Sequence, residues 1–296
     1  MAVFMDSGLR RNDGSRSSAG GSVRPIPDPF GLSLPSPPNE KKKSPSTGSG
    51  RTVWALAKAG LGESRVRKLG MIGGTSWFST AMYYEQINKA VAKAKGGLSS
   101  APLVIESLDL APVAALELGG RWDRVGEIVA AAAARLERAG AEGLILCSNT
   151  THKVAPAVES AVNIPLLHIA DVTADRLASD GVQKAGLIGT RFTMGEAFFR
   201  ERIEARGIAL ALPDPEMAGH IDRIIFEELA RGQVSRSSQR LLKTCVTEMG
   251  KARQQAVILG CTELVLLVDP GANVIPVYDT TALHAAAAAR WILEES

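Results

Sequence analysis

Short apolar runs, several of them closed by glycine or a small polar side chain, recur along the chain after residue 67. Runs at 68–72, 102–109, 143–147 and 165–169 are followed by a second set at 184–188, 208–212, 256–259 and 274–278. Continuous apolar character over so few residues fits strands buried on both faces of a parallel sheet. Between the runs the apolar positions change to the helical period. Over 121–139, Val125, Ile128, Val129, Ala132 and Leu136 fall on one stripe. Further helices are predicted over 77–94, 195–205, within 216–231, over 235–250 and over 281–293. Alternating strands and helices predict an α/β fold, in which ligands sit beyond the carboxyl ends of the strands.

Two stretches dominate this pattern. Gly143-Leu-Ile-Leu-Cys-Ser-Asn-Thr-Thr-His152 and Ala256-Val-Ile-Leu-Gly-Cys-Thr-Glu263 both run apolar and then stop at thiol and hydroxyl groups. Upstream, Lys68-Leu-Gly-Met-Ile-Gly-Gly-Thr75 matches Lys184-Ala-Gly-Leu-Ile-Gly-Thr-Arg191. Gly70 precedes Ser148 by 78 residues, and Gly186 precedes Cys261 by 75. Nearly equal separations suggest an internal duplication. Two similar halves, each ending a strand in a reactive group, would face each other across a cleft.

Charge and composition divide the chain before the first strand. Residues 1–67 carry 11 Lys+Arg against 5 Asp+Glu and 7 of the 15 prolines, whereas the rest carries 23 against 26. The basic character therefore belongs to the tail, and the remainder offers no basic surface for nucleic acid. The tail reads as a disordered extension with a short helix at 53–60, because too little apolar surface is present to offset the entropy of ordering. An open frame beginning near Val66 would place the first strand at the N-terminus. Three cysteines, Cys147, Cys245 and Cys261, form no metal-ligand spacing and no even disulfide set. No run reaches the roughly 20 apolar residues of a membrane span. The expectation is a cytoplasmic protein with no membrane partner.

The candidate chemistry lies at the strand ends. Gly73, Gly74, Thr75 and Ser76 close the first strand, with Ser76 placed to cap the next helix and its free N–H groups placed to take an anion. The spacing falls short of the dinucleotide-binding glycine pattern, so a small carboxylate is the expected ligand. The four motifs Gly73-Gly-Thr-Ser-Trp77, Cys147-Ser-Asn-Thr-Thr-His-Lys153, Gly189-Thr-Arg-Phe-Thr193 and Gly260-Cys-Thr-Glu263 resemble the aspartate/glutamate racemase family. The similarity runs from about Val66 to the C-terminus. It implies two pseudo-symmetric α/β domains, each with a parallel sheet flanked by helices, and an active site in the cleft between them. The domains would be 68–168 plus 278–296, and 169–277, since the C-terminal helix of the family returns to the first. The resemblance implies an amino-acid racemase that uses neither cofactor nor metal, acts on aspartate or glutamate, and is expected as a homodimer.

Physical chemistry supports that reading independently. An α-carbanion beside a carboxylate is barely stabilised, so without an electron sink the protein must grip the carboxylate with hydrogen-bond donors. Inversion needs one group to remove a proton from one face and another to supply it on the opposite face. Thiols suit both tasks, since a helix N-terminus lowers their pKa toward the working range. Cys261 matches the family's second catalytic cysteine. Ser148 occupies the position where many members carry the first. Side chains alternate along a strand, so the thiol one residue earlier, Cys147, is expected in the core, as is Cys245 within a helix. A lone serine is a poor base, which leaves Ser148 as a proton donor fed by water or by His152, itself equally readable as a helix-start residue. Gly74, Thr75, Ser76, Asn149, Thr150, Thr193 and Thr262 are the carboxylate-binding positions that the resemblance implies, and Arg191 is placed to reach a side-chain carboxylate. Two other functions stay open: a one-thiol decarboxylase of malonate-type acids, and an amino-acid-binding homologue without turnover.

Overall fold

The computed structural model describes residues 66–294, which fall within one compact unit, Gly62–Ser296. The expectations for the tail before residue 66 lie outside the described residues. Its expected boundary at 67 moves slightly. Val66 packs on the core, the Arg67 N–H donates to Ile292 O at 3.0 Å, and the Arg67 guanidinium sits 5.0 Å over the Trp291 ring.

Two parallel sheets organise the unit. The first, in the order β2–β1–β3, comprises β1 (Leu69–Gly73), β2 (Leu103–Ser107) and β3 (Gly143–Leu146). The second, in the order β5–β4–β6–β7, comprises β4 (Lys184–Gly189), β5 (Ala209–Ala211), β6 (Ala256–Gly260) and β7 (Val277–Asp279). Strands β1 and β4 hold the same place, each central and flanked by the next strand on one side and the chemistry-bearing strand on the other. The duplication read from the sequence is thus a duplication of topology. Every residue of β1, β3 and β6 is buried, as continuous apolar runs require.

Helices cover both sheets: α1 (Trp77–Lys95), α2 (Leu110–Leu118), α3 (Trp122–Arg138), α4 (Ala155–Ala161), α5 (Ile169–Ser179), α6 (Arg191–Gly195), α7 (Ala197–Glu204), α8 (Pro215–Arg223), α9 (Arg236–Lys251) and α10 (Thr280–Leu293). Helix α3 buries Val125, Val129, Ala132, Ala133 and Leu136, close to the predicted stripe, against β1 and β3. Helix α10 leaves β7 of the second sheet and packs Ala285, Ala288, Ala289 and Ile292 on Tyr83, Ile87 and Val91 of α1. The last helix therefore crosses back to the first half, whereas Tyr278 and Asp279, expected with that half, pair with β6.

One predicted strand is corrected. Residues 165–169 make only an isolated bridge, Leu144 to Leu166, with two flanking hydrogen bonds: Leu144 N to Pro165 O (2.8 Å) and Leu167 N to Leu144 O (2.9 Å). His168 ends it by capping α5, its Nδ1 accepting from the Ala170 N–H. The apolar pattern does not predict helices α2, α4 and α5. All three are short, and α2 contains a proline in its first turn, which leaves little periodic signal.

Candidate active site

The carboxyl ends of β1, β3, β4 and β6 converge on one cavity of about 80 Å³. Ser148, Asn149 and Thr150 enter it from the end of β3, and Cys261, Thr262 and Glu263 from the end of β6. Thr75 and Ser76 come from the turn after β1, and Thr190 from the turn after β4. The remaining wall is made by Leu110, Ala114 and Glu117 of α2 and by Ile225, Phe226 and Ala230. Ile225 and Phe226 belong to a wide π turn, Ile224–Glu228, that continues α8. Such turns rotate side chains away from the helical register and are frequent at functional sites.

Backbone geometry at the first turn is unusual in a way that shapes the cavity. Gly74 has φ 83°, and a Cβ there would collide with the backbone of Leu108. Ser76 has φ 141°, a strained conformation for a residue with a side chain. It is held there by an isolated bridge to Gly74 and by its cap on α1, where Ser76 Oγ accepts from the Ser79 N–H at 3.4 Å.

The two ends that carry Ser148 and Cys261 differ sharply. The Cys261 thiol donates to Glu263 Oε2 at 3.1 Å, and the Thr262 hydroxyl donates to the same oxygen at 2.6 Å. Ser79 Oγ lies 2.5 Å from Thr262 Oγ1 and 3.1 Å from Glu263 Oε1, so α1 of the first half anchors the carboxylate of the second. Burial, then the Glu263 charge, push the Cys261 thiol well above its ordinary range. This corrects the expectation that a helix N-terminus lowers it. Burial instead keeps the proton on sulfur, with an acceptor already in contact.

Ser148 has no such acceptor. Its Oγ lies 3.5 Å from the Thr151 N–H, and its carbonyl accepts from His152 Nδ1 at 2.7 Å. The other nitrogen of His152 accepts from the Ile169 N–H at 3.3 Å, so the ring is neutral and both nitrogens are occupied. Desolvation, with His168 and His284 adjacent, drives its pKa well below the usual value. His152 therefore holds the turn after β3 and is not aimed at the Ser148 hydroxyl. Cys147 lies in the core with Tyr83, Ile145 and Ala285, as alternation along the strand predicts, and burial pushes its thiol up. Cys245 packs in the second core.

Of the predicted carboxylate-binding positions, Thr75, Ser76, Asn149, Thr150 and Thr262 line the cavity. Asn149 is braced by Thr280, its Nδ2 donating to Thr280 Oγ1 at 3.0 Å, while the Thr280 hydroxyl donates to Leu259 O at 2.7 Å. Thr150 Oγ1 lies 3.1 Å from Thr190 Oγ1, which lies 3.2 Å from Thr193 Oγ1. Gly74 and Thr193 sit behind the lining, the first shaping the turn and the second supporting Thr190. Arg191 is turned away and locked on Asp222, with Nε and Nη2 at 2.8 and 2.7 Å from Oδ2. Two acidic residues of the site, Glu263 and Glu117, are not assigned to it by the sequence pattern. The Cys-Thr-Glu run carries a signal for Glu263, whereas Glu117 lies in a helix that leaves no periodic trace.

Comparison with known proteins gives a consistent result. The Asp/Glu/Hydantoin racemase family model matches residues 72–288. A crystal structure of a candidate Asp/Glu racemase from Yersinia pestis is 42% identical, with TM-score 0.73, covering 77% of this chain and 100% of that one. An aspartate racemase homologue from Pyrococcus horikoshii is 32% identical, with TM-score 0.66 and coverages of 77% and 100%. The broad specificity amino-acid racemase RacX of Bacillus subtilis is 23% identical over 163 residues, 54% of this chain and 69% of that protein.

Proposed function

Because the chain belongs to the Asp/Glu/hydantoin racemase family, whose members are isomerases, we propose that it interconverts the enantiomers of an amino acid, with aspartate or glutamate as substrate. The single observation that carries the reading is the placement of Ser148 and Cys261 on one cavity from the ends of β3 and β6, the matching strands of the two sheets. An α-carbon between them is addressed from both faces.

In this mechanism the hydroxyl and amide groups of Thr75, Ser76, Asn149, Thr150 and Thr262 take the α-carboxylate. As substrate enters, the Cys261 proton passes to Glu263, already in contact at 3.1 Å. The thiolate then removes the α-hydrogen as a proton, and the electron pair left on carbon delocalises into the carboxylate held by those donors. A proton supplied from the Ser148 side, relayed from water through its hydroxyl, completes inversion. In the reverse direction the serine must give its own proton to the water relay as it takes one from carbon, so initial exchange from that enantiomer is the slower of the two. No metal or organic cofactor has a part in this scheme. The unpaired cysteines support a reducing, cytoplasmic setting.

The test is incubation of the purified protein with single enantiomers in D₂O, following α-deuteration and chirality. Deuteration with inversion is expected. Loss of CO₂ from malonate-type acids, or binding without exchange, would each overturn the reading.

A further inference from the structure

Glu117 is a carboxyl group more than nine-tenths buried, 7% exposed, on the cavity wall that neither Ser148 nor Cys261 occupies. Its side chain makes no hydrogen bond or ion pair among the described residues. The other acidic group of the cavity, Glu263, is saturated by Cys261, Thr262 and Ser79. No lysine or arginine is among the described residues that line the cavity, so a substrate with an acidic side chain meets no cation there. The groups that take the α-carboxylate lie on the turns after β1, β3 and β6. Leu110, Ala114 and Glu117, with Ile225, Phe226 and Ala230, form the wall left for the substrate's side chain, and Glu117 is the one polar side chain among these six.

We propose that Glu117 is a specificity-determining residue that meets the side chain of the bound amino acid and accepts an acidic one only by donating its own proton to it. The inference rests on the racemase reading. Two carboxylates repel, whereas a carboxylic acid and a carboxylate share a short, charge-assisted hydrogen bond. An amide side chain, by contrast, suits either form, since it donates as well as accepts.

The surroundings of Glu117 set the pH at which this matters. Burial raises its pKa to about 7, and the Lys153 charge opposes that rise. Lys153 is itself engaged by Glu196, 2.5 Å away, and lies 3.9 Å over the Trp122 ring. On the flanking helix α3, Asp123 pairs with Arg121 and Arg124 with Glu127, all at the surface. Across the cavity stand Glu263 and Cys261, and an anion on either favours the protonated form of Glu117.

The experiment measures KM for α-deuteration of aspartate and glutamate against asparagine and glutamine, from roughly pH 6 to 9, in wild type and Glu117→Gln. Taking the acid-to-amide ratio cancels ionisation of the substrate amine and of the site thiol, which both classes share. In wild type the ratio should rise about tenfold per pH unit above neutrality, and in Glu117→Gln it should be flat. A ratio with the same pH course in both proteins overturns the inference. So does a variant that loses both substrate classes equally at every pH, which would assign Glu117 to the substrate ammonium. Should the variant fail to fold, a flat ratio in wild type is sufficient to overturn it. Absence of exchange with any of the four amino acids would instead sink the racemase reading.

Discussion

The end of β3 and the end of β6 occupy matching places in the two sheets, yet they are built for different work. At β6, a thiol, a threonine and a carboxylate form a continuous hydrogen-bonded group that reaches Ser79 on the opposite half. At β3, the Ser148 hydroxyl has only a long contact to a backbone N–H, and the nearby histidine is used on the Ser148 carbonyl. The thiol side has a proton acceptor in place and the serine side has none. A duplicated fold can therefore keep its geometry in both halves while concentrating its acid–base power in one.

Four substitutions test this contrast. The largest effect is expected from Cys261→Ala, which removes the group proposed to bear the proton. The α-deuteration of both enantiomers should fall by at least about 10³-fold, and survival of exchange from either would place the working base elsewhere. Next comes Glu263→Gln, which keeps the shape and removes the proton acceptor. Turnover should drop on the order of 10²-fold, with KM changed far less, while Cys261 is alkylated faster at a given pH because the charge that raises its pKa is gone. An equal loss of folding stability and turnover would make Glu263 a structural brace only.

Ser148→Cys is expected to have a smaller, directional effect. A thiol on the second face gives both directions an acceptor, so exchange from the slower enantiomer should rise relative to the faster, by roughly tenfold. An unaltered ratio of initial rates would show that Ser148 does not face the reacting carbon. The smallest change belongs to Cys147→Ala, one residue earlier and on the opposite face. It should lower stability by about 1 kcal/mol, a few degrees in Tm, and leave the deuteration ratio alone. An inactive but stable Cys147→Ala protein would reverse the assignment of the two neighbours.

Several of these features are legible in the amino-acid sequence. Continuous apolar runs mark β1, β3, β4 and β6, because a strand buried on both faces has little choice of side chain, whereas the predicted run at 274–278 meets the half-buried β7 only at Val277 and Tyr278. The run at 165–169 has the same apolar look. It is a bridge because His168 caps a helix there, a competition between local hydrogen bonds that hydrophobicity does not register. Alternation along β3 is enough to separate Cys147 from Ser148. The role of His152 is not legible, since a histidine four residues from a serine can point at its hydroxyl or at its carbonyl, and packing against His168 and His284 decides.

Neighbours along the chain suffice to define the buried strands and the longer helices, the duplication, and which thiol and hydroxyl stand at the strand ends. Each follows from periodicity and local geometry, which the order of residues carries directly. The environment of those groups is a matter of packing instead. Arg191 is drawn from the cavity to Asp222, Glu263 is anchored on Ser79 at 184 residues' separation, and Glu117 is turned, unpartnered, toward the cavity. Proton affinity and charge pairing depend on burial and on neighbours from distant segments, and those are set when the two halves pack together.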